Sequence, residues 1–342
     1  MNPVVWKYLP VKPAFYPWLR KFHGWRDLDW SAKASLPVAR NNAGAVAASG
    51  RIYVFGGAEF SEIVDGHLFT VPGAPVYEYD PATNVWTTAG DMPTPRSRCS
   101  VMRFGDGRIC VVGGFEKQPN QWVRNSSIDI FDPVSKSWTS AGQLHFGPTH
   151  YAAVLVDDRY IYAFGGIDTA SGEFFTSRAA FRQDLQDNTA TWPGLIPLMP
   201  TPRQGHVCVA GQDGLLYVIG GLNDSGDLAS VEAYDRNTNT WQTRAPMLVA
   251  RREFATVVGP AGHIYVFGGM SGGAATASAE QYDPAADSWT PLSDLPGPCM
   301  GHCGVVAADN RVFLIGGIEK ESCAADPVFL DRVLAATSPL VE

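Results

Sequence analysis

The stretch Ala245–Trp289 has the sequence APMLVARREFATVVGPAGHIYVFGGMSGGAATASAEQYDPAADSW, and its pattern recurs along most of the chain. Phe254–Val258 and His263–Phe267 are short runs, rich in β-branched and aromatic residues and bounded by Gly or Pro, which predicts two strands. Ala279–Tyr282 predicts a third strand, and Trp289 opens a fourth that has a large apolar ring to bury. The stretch therefore predicts one small antiparallel sheet of four strands.

A pair of adjacent glycines and a single tryptophan each recur six times. The glycine pairs are Gly56-Gly57, Gly113-Gly114, Gly165-Gly166, Gly220-Gly221, Gly268-Gly269 and Gly316-Gly317. The tryptophans are Trp30, Trp86, Trp138, Trp192, Trp241 and Trp289. Successive glycine pairs are roughly 50 residues apart, a period typical of proteins in which every repeat is one small sheet.

The two columns are offset at the ends of the chain. Trp30 precedes the first glycine pair, and no tryptophan follows the last pair. The simplest closed arrangement therefore lets Trp30–Ala34 supply the outer strand of the last sheet, whose other three strands come from the C-terminal end. A ring closed in this way leaves no end sheet with an uncovered face.

These columns resemble the kelch-repeat family. The segments that carry the resemblance are IYVFGG (52–57), VYEYDPATNVW (76–86), IDIFDPVSKSW (128–138), VEAYDRNTNTW (231–241) and AEQYDPAADSW (279–289). The resemblance implies an all-β fold, a six-bladed kelch β-propeller at residues 30–333, with an aromatic and basic N-terminal arm at 1–29 and a C-terminal tail at 334–342. FRQDLQDNTATW (181–192) lacks the Tyr-Asp of the other repeats, so we expect an irregular outer edge in blade three.

Composition limits the classes of partner. The 26 Lys and Arg against 34 Asp and Glu leave a formal net charge of −8, which disfavours generic binding to nucleic acid or to acidic membranes. The six cysteines include no C-x-x-C pair, which predicts mostly free thiols and suits a reducing compartment. Prolines interrupt the N-terminal residues, and no apolar stretch is long enough to cross a bilayer. We expect a cytoplasmic protein without membrane insertion.

Three segments outside the regular repeat are candidate contact surfaces. The arm at residues 1–29 combines basic residues with aromatic ones such as Trp6 and Trp18, which indicates either packing on the propeller or docking on a partner. A mitochondrial transit peptide is a further alternative, suggested by the basic residues and opposed by the prolines. Long inserts are usually functional. The inserts here lie at 57–75, with Phe60 and Phe69, and at 166–180, with Phe174.

Six entry segments lead into the predicted inner strands and align without gaps: LPVARNNA, MPTPRSRC, LHFGPTHY, MPTPRQGH, MLVARREF and LPGPCMGH. Their first variable column is Arg40, Arg96, Pro148, Arg203, Arg251 and Cys299. Two positions later the column is Asn42, Arg98, His150, Gly205, Glu253 and Gly301. Strand alternation predicts that both columns face one side and converge at the ring axis, whereas the residues directly after the second column face the other side.

A basic mouth on an acidic protein favours an anionic ligand or an acidic peptide, because guanidinium groups bind carboxylates bidentately. The candidate binding residues are Arg40, Asn42, Arg96, Arg98, His150, Arg203, Arg251, Arg252 and Glu253. The alternative for the four arginines of the first column is a structural role, in which they bond to neighbouring turn carbonyls.

We predict a non-catalytic protein–protein interaction module, or a subunit of a larger assembly, with no cofactor and no metal. Cys299, His302 and Cys303 are close in sequence, but strand alternation points the imidazole away from the thiols. The alternative is a small-molecule enzyme of the sialic-acid-like mutarotase or isomerase type, which the resemblance to bacterial kelch propellers implies. Its catalytic residues would be Glu253, His150 and Arg98. A propeller fold accommodates both functions and leaves partner and oligomeric state open.

Overall fold

The computed structural model describes residues 28–64, 67–118, 121–144, 150–168, 175–187, 194–319, 328–337 and 340. All elements within these residues are β-strands. No membrane-spanning helix is found in this described part of the chain. Six four-stranded antiparallel sheets are arranged as blades around an axis, and the innermost strand of each blade contacts those of both neighbours. The predicted all-β, six-bladed propeller is confirmed.

The strands of each blade follow one another from the axis outwards. Blade one consists of Gly44–Ala48, Arg51–Phe55, Pro75–Asp80 and Val85–Asp91. Blade two consists of Ser100–Arg103, Ile109–Val112, Ser127–Asp132 and Ser137–Gln143. Blade three consists of Ala152–Val156, Tyr160–Phe164, Ala180–Asp184 and Gly194–Leu195. Within the described residues the fourth strand of blade three has two residues, and the irregular edge expected there falls largely on residues 188–193, outside the described ranges.

The other three blades are more regular. Blade four consists of Val207–Ala210, Leu215–Ile219, Val231–Asp235 and Thr240–Arg244. Blade five consists of Ala255–Val258, Ile264–Phe267, Ala279–Asp283 and Ser288–Pro291. Blade six consists of Cys303–Val306, Val312–Ile315, Val333–Ala336 and Trp30–Ala32.

A two-stranded hairpin connects the second and third strands in blades one to five. The hairpins pair Ala58–Val64 with His67–Pro72, Phe115–Gln118 with Gln121–Arg124, Ile167–Asp168 with Phe175–Thr176, Leu222–Asn223 with Gly226–Asp227, and Met270–Ser271 with Ala274–Ala275. In blade six an isolated bridge joins Ile318 to Phe329. The blade-one hairpin is the longest among the described residues and contains the insert that the sequence predicted.

The N-terminal strand closes the ring as predicted, because Trp30–Ala32 pairs antiparallel with Val333–Ala336. The Trp30 ring packs edge-on against Phe267 of blade five, with centroids 5.6 Å apart. The closing strand pair runs beyond residue 333, and Leu340 is buried in the core. The strand pair that closes the ring therefore packs in the same hydrophobic cluster as Leu340.

Hydrophobic packing lies between the blades. Six clusters of buried side chains fill the six joints, one cluster for each pair of neighbouring blades. Between blades four and five, for example, Tyr217 packs edge-on against Tyr282 with ring centroids 5.7 Å apart. Aromatic side chains each bury about 150–250 Å², so these joints supply most of the apolar burial.

The glycine pairs also belong to the joints. In five of the six pairs the N–H of the second glycine donates to a backbone carbonyl in the entry segment of the next blade, as in the bonds from Gly221 to Arg251 (2.9 Å) and from Gly317 to Arg40 (2.7 Å). The first glycine has positive φ, and at Gly220 a Cβ atom would lie 2.7 Å from the Arg251 carbonyl oxygen. Only glycine fits at such a position. The repeated pair is thus the contact through which one blade docks on the next.

Candidate functional site at the mouth of the ring

The second column of the entry segments forms a ring around the axis. Its members are Asn42, Arg98, His150, Gly205, Glu253 and Gly301, and each has a φ between 50° and 64°. The left-handed region costs an L-residue about 1–2 kcal/mol and is the usual conformation of Gly or Asn. The chain therefore holds three side chains, those of Arg98, His150 and Glu253, at positions where glycine would fit without strain.

Backbone hydrogen bonds join members of this ring to one another. The N–H of Asn42 donates to Gly301 O (2.7 Å), and the N–H of Gly301 donates to Glu253 O (2.8 Å). Glu253 donates to Gly205 O (2.9 Å), and Arg98 donates to Asn42 O (3.0 Å). Each bond crosses from one blade to the preceding one, so these bonds brace four of the six steps between neighbouring blades at the mouth.

An ion pair crosses the mouth. Arg98 Nη1 donates to Glu253 Oε1 at 2.9 Å, and the two side chains are 29% and 16% exposed. Arg98 enters blade two and Glu253 enters blade five, which lie on opposite sides of the six-bladed ring. The pair therefore spans the opening.

His150 lies beside this pair and is neutral at physiological pH. Its ring packs against Phe115, with centroids 4.7 Å apart. Burial, and then the positive charge of Arg98, lowers the pKa of His150 to about 3. The imidazole can therefore offer a hydrogen bond at the mouth without adding a charge.

A cavity of about 280 Å³ lies at the mouth, and the ring residues and the starts of the six inner strands line it. Arg98 and Glu253 are the charged side chains of this lining. Burial lowers the pKa values of two further histidines in the lining, His206 and His302, to about 3. A second cavity of about 430 Å³ shares lining residues with the first and continues it along the axis.

The first column does not face the mouth, so the prediction of a strongly basic opening is wrong. Arg40, Arg96, Arg203 and Arg251 are at most 1% exposed and lie within their own blades. Alternation failed because the left-handed residue two positions later turns the chain. At Arg251, Nη1 donates to the carbonyls of Gly268 (2.7 Å) and Ser278 (2.8 Å). These contacts agree with the structural alternative, in which the column bonds to neighbouring carbonyls.

Each buried arginine is matched to one position of its blade's third strand. Glu280 accepts from Arg251 at 2.5 Å, and Glu232 pairs with Arg203 at 3.1 Å. Asp129 pairs with Arg96 in the same way. The corresponding residue in blade one is Tyr77, whose ring lies 5.2 Å from the Arg40 guanidinium carbon, and Glu59 of the hairpin supplies the charge at 2.7 Å.

The same position is apolar wherever the arginine is missing. Blade six has Cys299 with Leu334, and the sequence of blade three has Pro148 with Phe181. This coupled exchange is present in the sequence, since the acidic residue occupies the second position of VEAYD and AEQYD. Comparing that position with the arginine column would have identified the ion pairs before the structure did.

The mouth and the hairpins belong to one face, here called the hairpin face. In blades one, two, four and five an isolated bridge joins the entry segment to the start of the blade's own hairpin, as in Asn41 with Ala58 and Arg252 with Met270. Arg252 also pairs with Asp227 of the blade-four hairpin, and Asp227 accepts the N–H of Gly272 at 2.8 Å. Arg252 thus links two hairpins rather than lining the mouth.

Other predicted site residues have different outcomes. Phe60 and Phe69 lie in the two strands of the blade-one hairpin. Trp6, Trp18 and Phe174 fall outside the described residues. Within the described ranges, no three His, Cys, Asp or Glu side chains gather into a metal site. The five cysteines found there, Cys99, Cys110, Cys208, Cys299 and Cys303, are free thiols.

Comparison with known proteins identifies the class. The family model described as the KLHDC2/KLHL20/DRC7 Kelch-repeats domain matches residues 18–166 and 149–334. Because these matches cover most of the chain, the protein belongs to the kelch-repeat family, as its repeats predicted.

Several curated relatives share the repeats at moderate identity. The chain is 31% identical to beta-scruin of Limulus polyphemus over 222 residues. This matched region covers 63% of this chain and 23% of beta-scruin. Over 236 residues it is 29% identical to kelch-like protein 36 of Rattus norvegicus, 67% of this chain and 36% of that protein. Over 226 residues it is 27% identical to kelch-like protein terF of Aspergillus terreus, with shares of 64% and 47%. The matched region spans less than half of each relative.

Proposed function

We propose that this propeller is a non-catalytic protein-interaction module, alone or as a subunit of a larger assembly, and that it binds its partner through the hairpin face. The observation that carries this proposal is the blade-one hairpin, Ala58–Val64 with His67–Pro72, which is the longest hairpin among the described residues. Loops that differ between otherwise uniform repeats are where a repeat protein acquires specificity. Kelch repeats in the relatives support a role in binding.

The opposite face offers less to distinguish one partner from another. There, the turns between third and fourth strands are built alike, with an aspartate that accepts a backbone N–H two residues later. Asp80 accepts from Ala82 at 2.9 Å, and Asp235 accepts from Asn237 at 2.8 Å. Such turns satisfy their own polar groups and repeat around the ring. The hairpins vary in length and composition, so we assign partner recognition to them.

Charge favours one sector of the hairpin face for an acidic partner segment. Lys117 of the blade-two hairpin and Arg178 in blade three are exposed cations in this sector. A partner carboxylate near these cations gains attraction and a faster encounter at low salt. Binding through this sector would weaken as salt concentration rises.

The test is a comparison of affinity-purified complexes. One variant replaces residues 60–71 by SGGA, the turn that blade five already carries at Ser271–Ala274, and keeps Glu59 because it pairs with the buried Arg40. The control is Val134→Lys, at a turn residue of the opposite face that is 86% exposed. We expect a partner to co-purify stoichiometrically with the wild type and with the control, and to be lost from the hairpin variant while its melting stays cooperative. Loss from the Val134 variant alone would assign binding to the other face.

The mutarotase or isomerase alternative stays a prediction. Arg98, His150 and Glu253 do lie together at the mouth, which that function requires, and Glu253 is engaged with Arg98. Interconversion of sugar anomers by the purified protein, lost in Glu253→Gln, would favour the enzyme over the binding module.

A further inference from the structure

The charge balance of the mouth points to a ligand of its own. We propose that the mouth cavity binds a small zwitterion, one carboxylate and one ammonium group separated by a few bonds, which is the chemical class of a free amino acid. This site is separate from partner binding at the hairpins, and neither depends on the other.

The first argument is electrostatic. The cavity lining contains one cation, Arg98, and one anion, Glu253, and they are already paired at 2.9 Å. A simple anion that takes Arg98 would leave Glu253 uncompensated beside a second negative charge. A simple cation would leave Arg98 in the same position. A zwitterion replaces both partners at once, so every charge stays paired after the bridge opens.

The second argument is size. A cavity of about 280 Å³ has room for roughly nine waters at ~30 Å³ each. That number is comparable with the number of heavy atoms in a small amino acid. The lining also contains small residues such as Ala43, Gly44 and Ser100. The innermost strands turn one hydrogen-bonding edge toward the axis, and a polar ligand can use those backbone groups.

The third argument is backbone strain. Arg98, His150 and Glu253 have φ values of 56°, 57° and 50°, while the equivalent Gly205 and Gly301 adopt the same conformation without a side chain. Non-glycine residues in this region cluster at ligand sites, where the surrounding structure holds them. Here the bonds from Arg98 N–H to Asn42 O and from Glu253 N–H to Gly205 O hold two of them. Arg98, His150 and Glu253 all line the cavity.

The wild-type protein decides the question with defined probes. Glycine, β-alanine and γ-aminobutyrate vary the spacing between ammonium and carboxylate, while acetate and methylammonium supply each charge alone. Titration calorimetry, with the melting temperature as a second readout, should detect saturable binding of at least one zwitterion and none of either half. Equal saturation by acetate, or no saturable binding of any zwitterion, would overturn the proposal.

Variants then locate the site. Arg98→Gln and Glu253→Gln should each reduce affinity for the bound zwitterion at least tenfold. The double exchange Arg98→Glu with Glu253→Arg restores an opposed pair and should recover binding. Arg108→Gln is the control, because Arg108 pairs with Asp106 at an exposed turn away from the mouth. Undiminished binding by both single variants would place the zwitterion elsewhere and refute the assignment.

Discussion

The guanidinium of Arg98 lies 2.9 Å from the carboxylate of Glu253, although the two residues enter blades on opposite sides of the ring. Both side chains project from left-handed backbone, in positions that two other blades fill with glycine. The pair is partly exposed, and exposed pairs contribute only about 0–1 kcal/mol to stability. Its position is therefore better explained by what binds at the mouth than by folding.

A double change tests that explanation. Replacing Arg98 and Glu253 together by Gly removes two strained side chains, each worth about 1–2 kcal/mol, against about 0.5–1 kcal/mol of backbone entropy for each glycine. We expect the free energy of unfolding in urea to stay level or rise by about 1 kcal/mol. A loss of more than about 2 kcal/mol would mean that the pair is a structural strut.

The buried pairs inside the blades should behave in the opposite way. Glu280→Leu leaves the Arg251 guanidinium buried without its counter-charge, at a cost of about 3–5 kcal/mol. Combining Glu280→Leu with Arg251→Cys recreates the combination that blade six uses, Cys299 with Leu334. We expect the double variant to be more stable than the single one in urea unfolding followed by tryptophan fluorescence. If the losses in unfolding free energy of Glu280→Leu and Arg251→Cys simply add in the double variant, the two side chains are not coupled.

Glycine at the joints can be tested against a control with equal backbone strain. Gly220 and Gly272 have φ values of +60° and +59°, but a Cβ atom at Gly220 would meet three neighbours within 3 Å and one at Gly272 would meet none within 4 Å. We expect Gly272→Ala to cost about 1 kcal/mol and Gly220→Ala about 1–3 kcal/mol more. If the two variants lower the melting temperature equally, the close contact between blades at Gly220 does not account for the glycine there.

Acid should destabilise the ring through its buried histidines. Burial lowers the folded-state pKa of His302 from the ordinary 6.5 to about 3, so between those values the unfolded chain binds a proton that the folded chain does not. Stability then falls as pH drops through that window, by up to about 1.4 kcal/mol per pH unit for each such histidine, and is unaffected above it.

The variant that tests this is His302→Phe, because blade five has Phe254 at the position equivalent to His302. The variant should lose less stability than the wild type between pH about 7 and about 4.5, measured by urea unfolding at each pH. An unchanged acid sensitivity would show that the His302 imidazole is not what titrates.

Much of the fold follows from the sequence because the repeated residues are the contacts between blades. The second glycine of a pair donates its N–H to the backbone of the next blade, as from Gly221 to Arg251 O, and the indole of Trp289 donates to Ala245 O at 2.8 Å across a joint. Residues that fit only one such contact recur at a fixed period, so blade number and ring closure were predictable. The early position of Trp30 was sufficient to identify the closing strand.

The mouth was less predictable, since its geometry depends on the sign of φ. Asn42, Gly205 and Gly301 belong to residue types that tolerate a left-handed backbone, which was a usable signal in that column. Regular strand alternation predicts instead that the buried arginines face the same side as Arg98, which is not what the structure shows. The contact between Arg98 and Glu253 depends on the diameter of the closed ring, which local sequence does not encode.

The most direct test of the interaction function is hydrogen exchange of the propeller alone and in complex with its co-purified partner. The account predicts that amides of the blade-one and blade-two hairpins, residues 58–72 and 115–124, become protected in the complex. Turns of the opposite face, such as 81–84 and 133–136, should exchange as in the free protein. Protection confined to those turns, with the hairpins unchanged, would contradict the central claim that the hairpin face binds the partner.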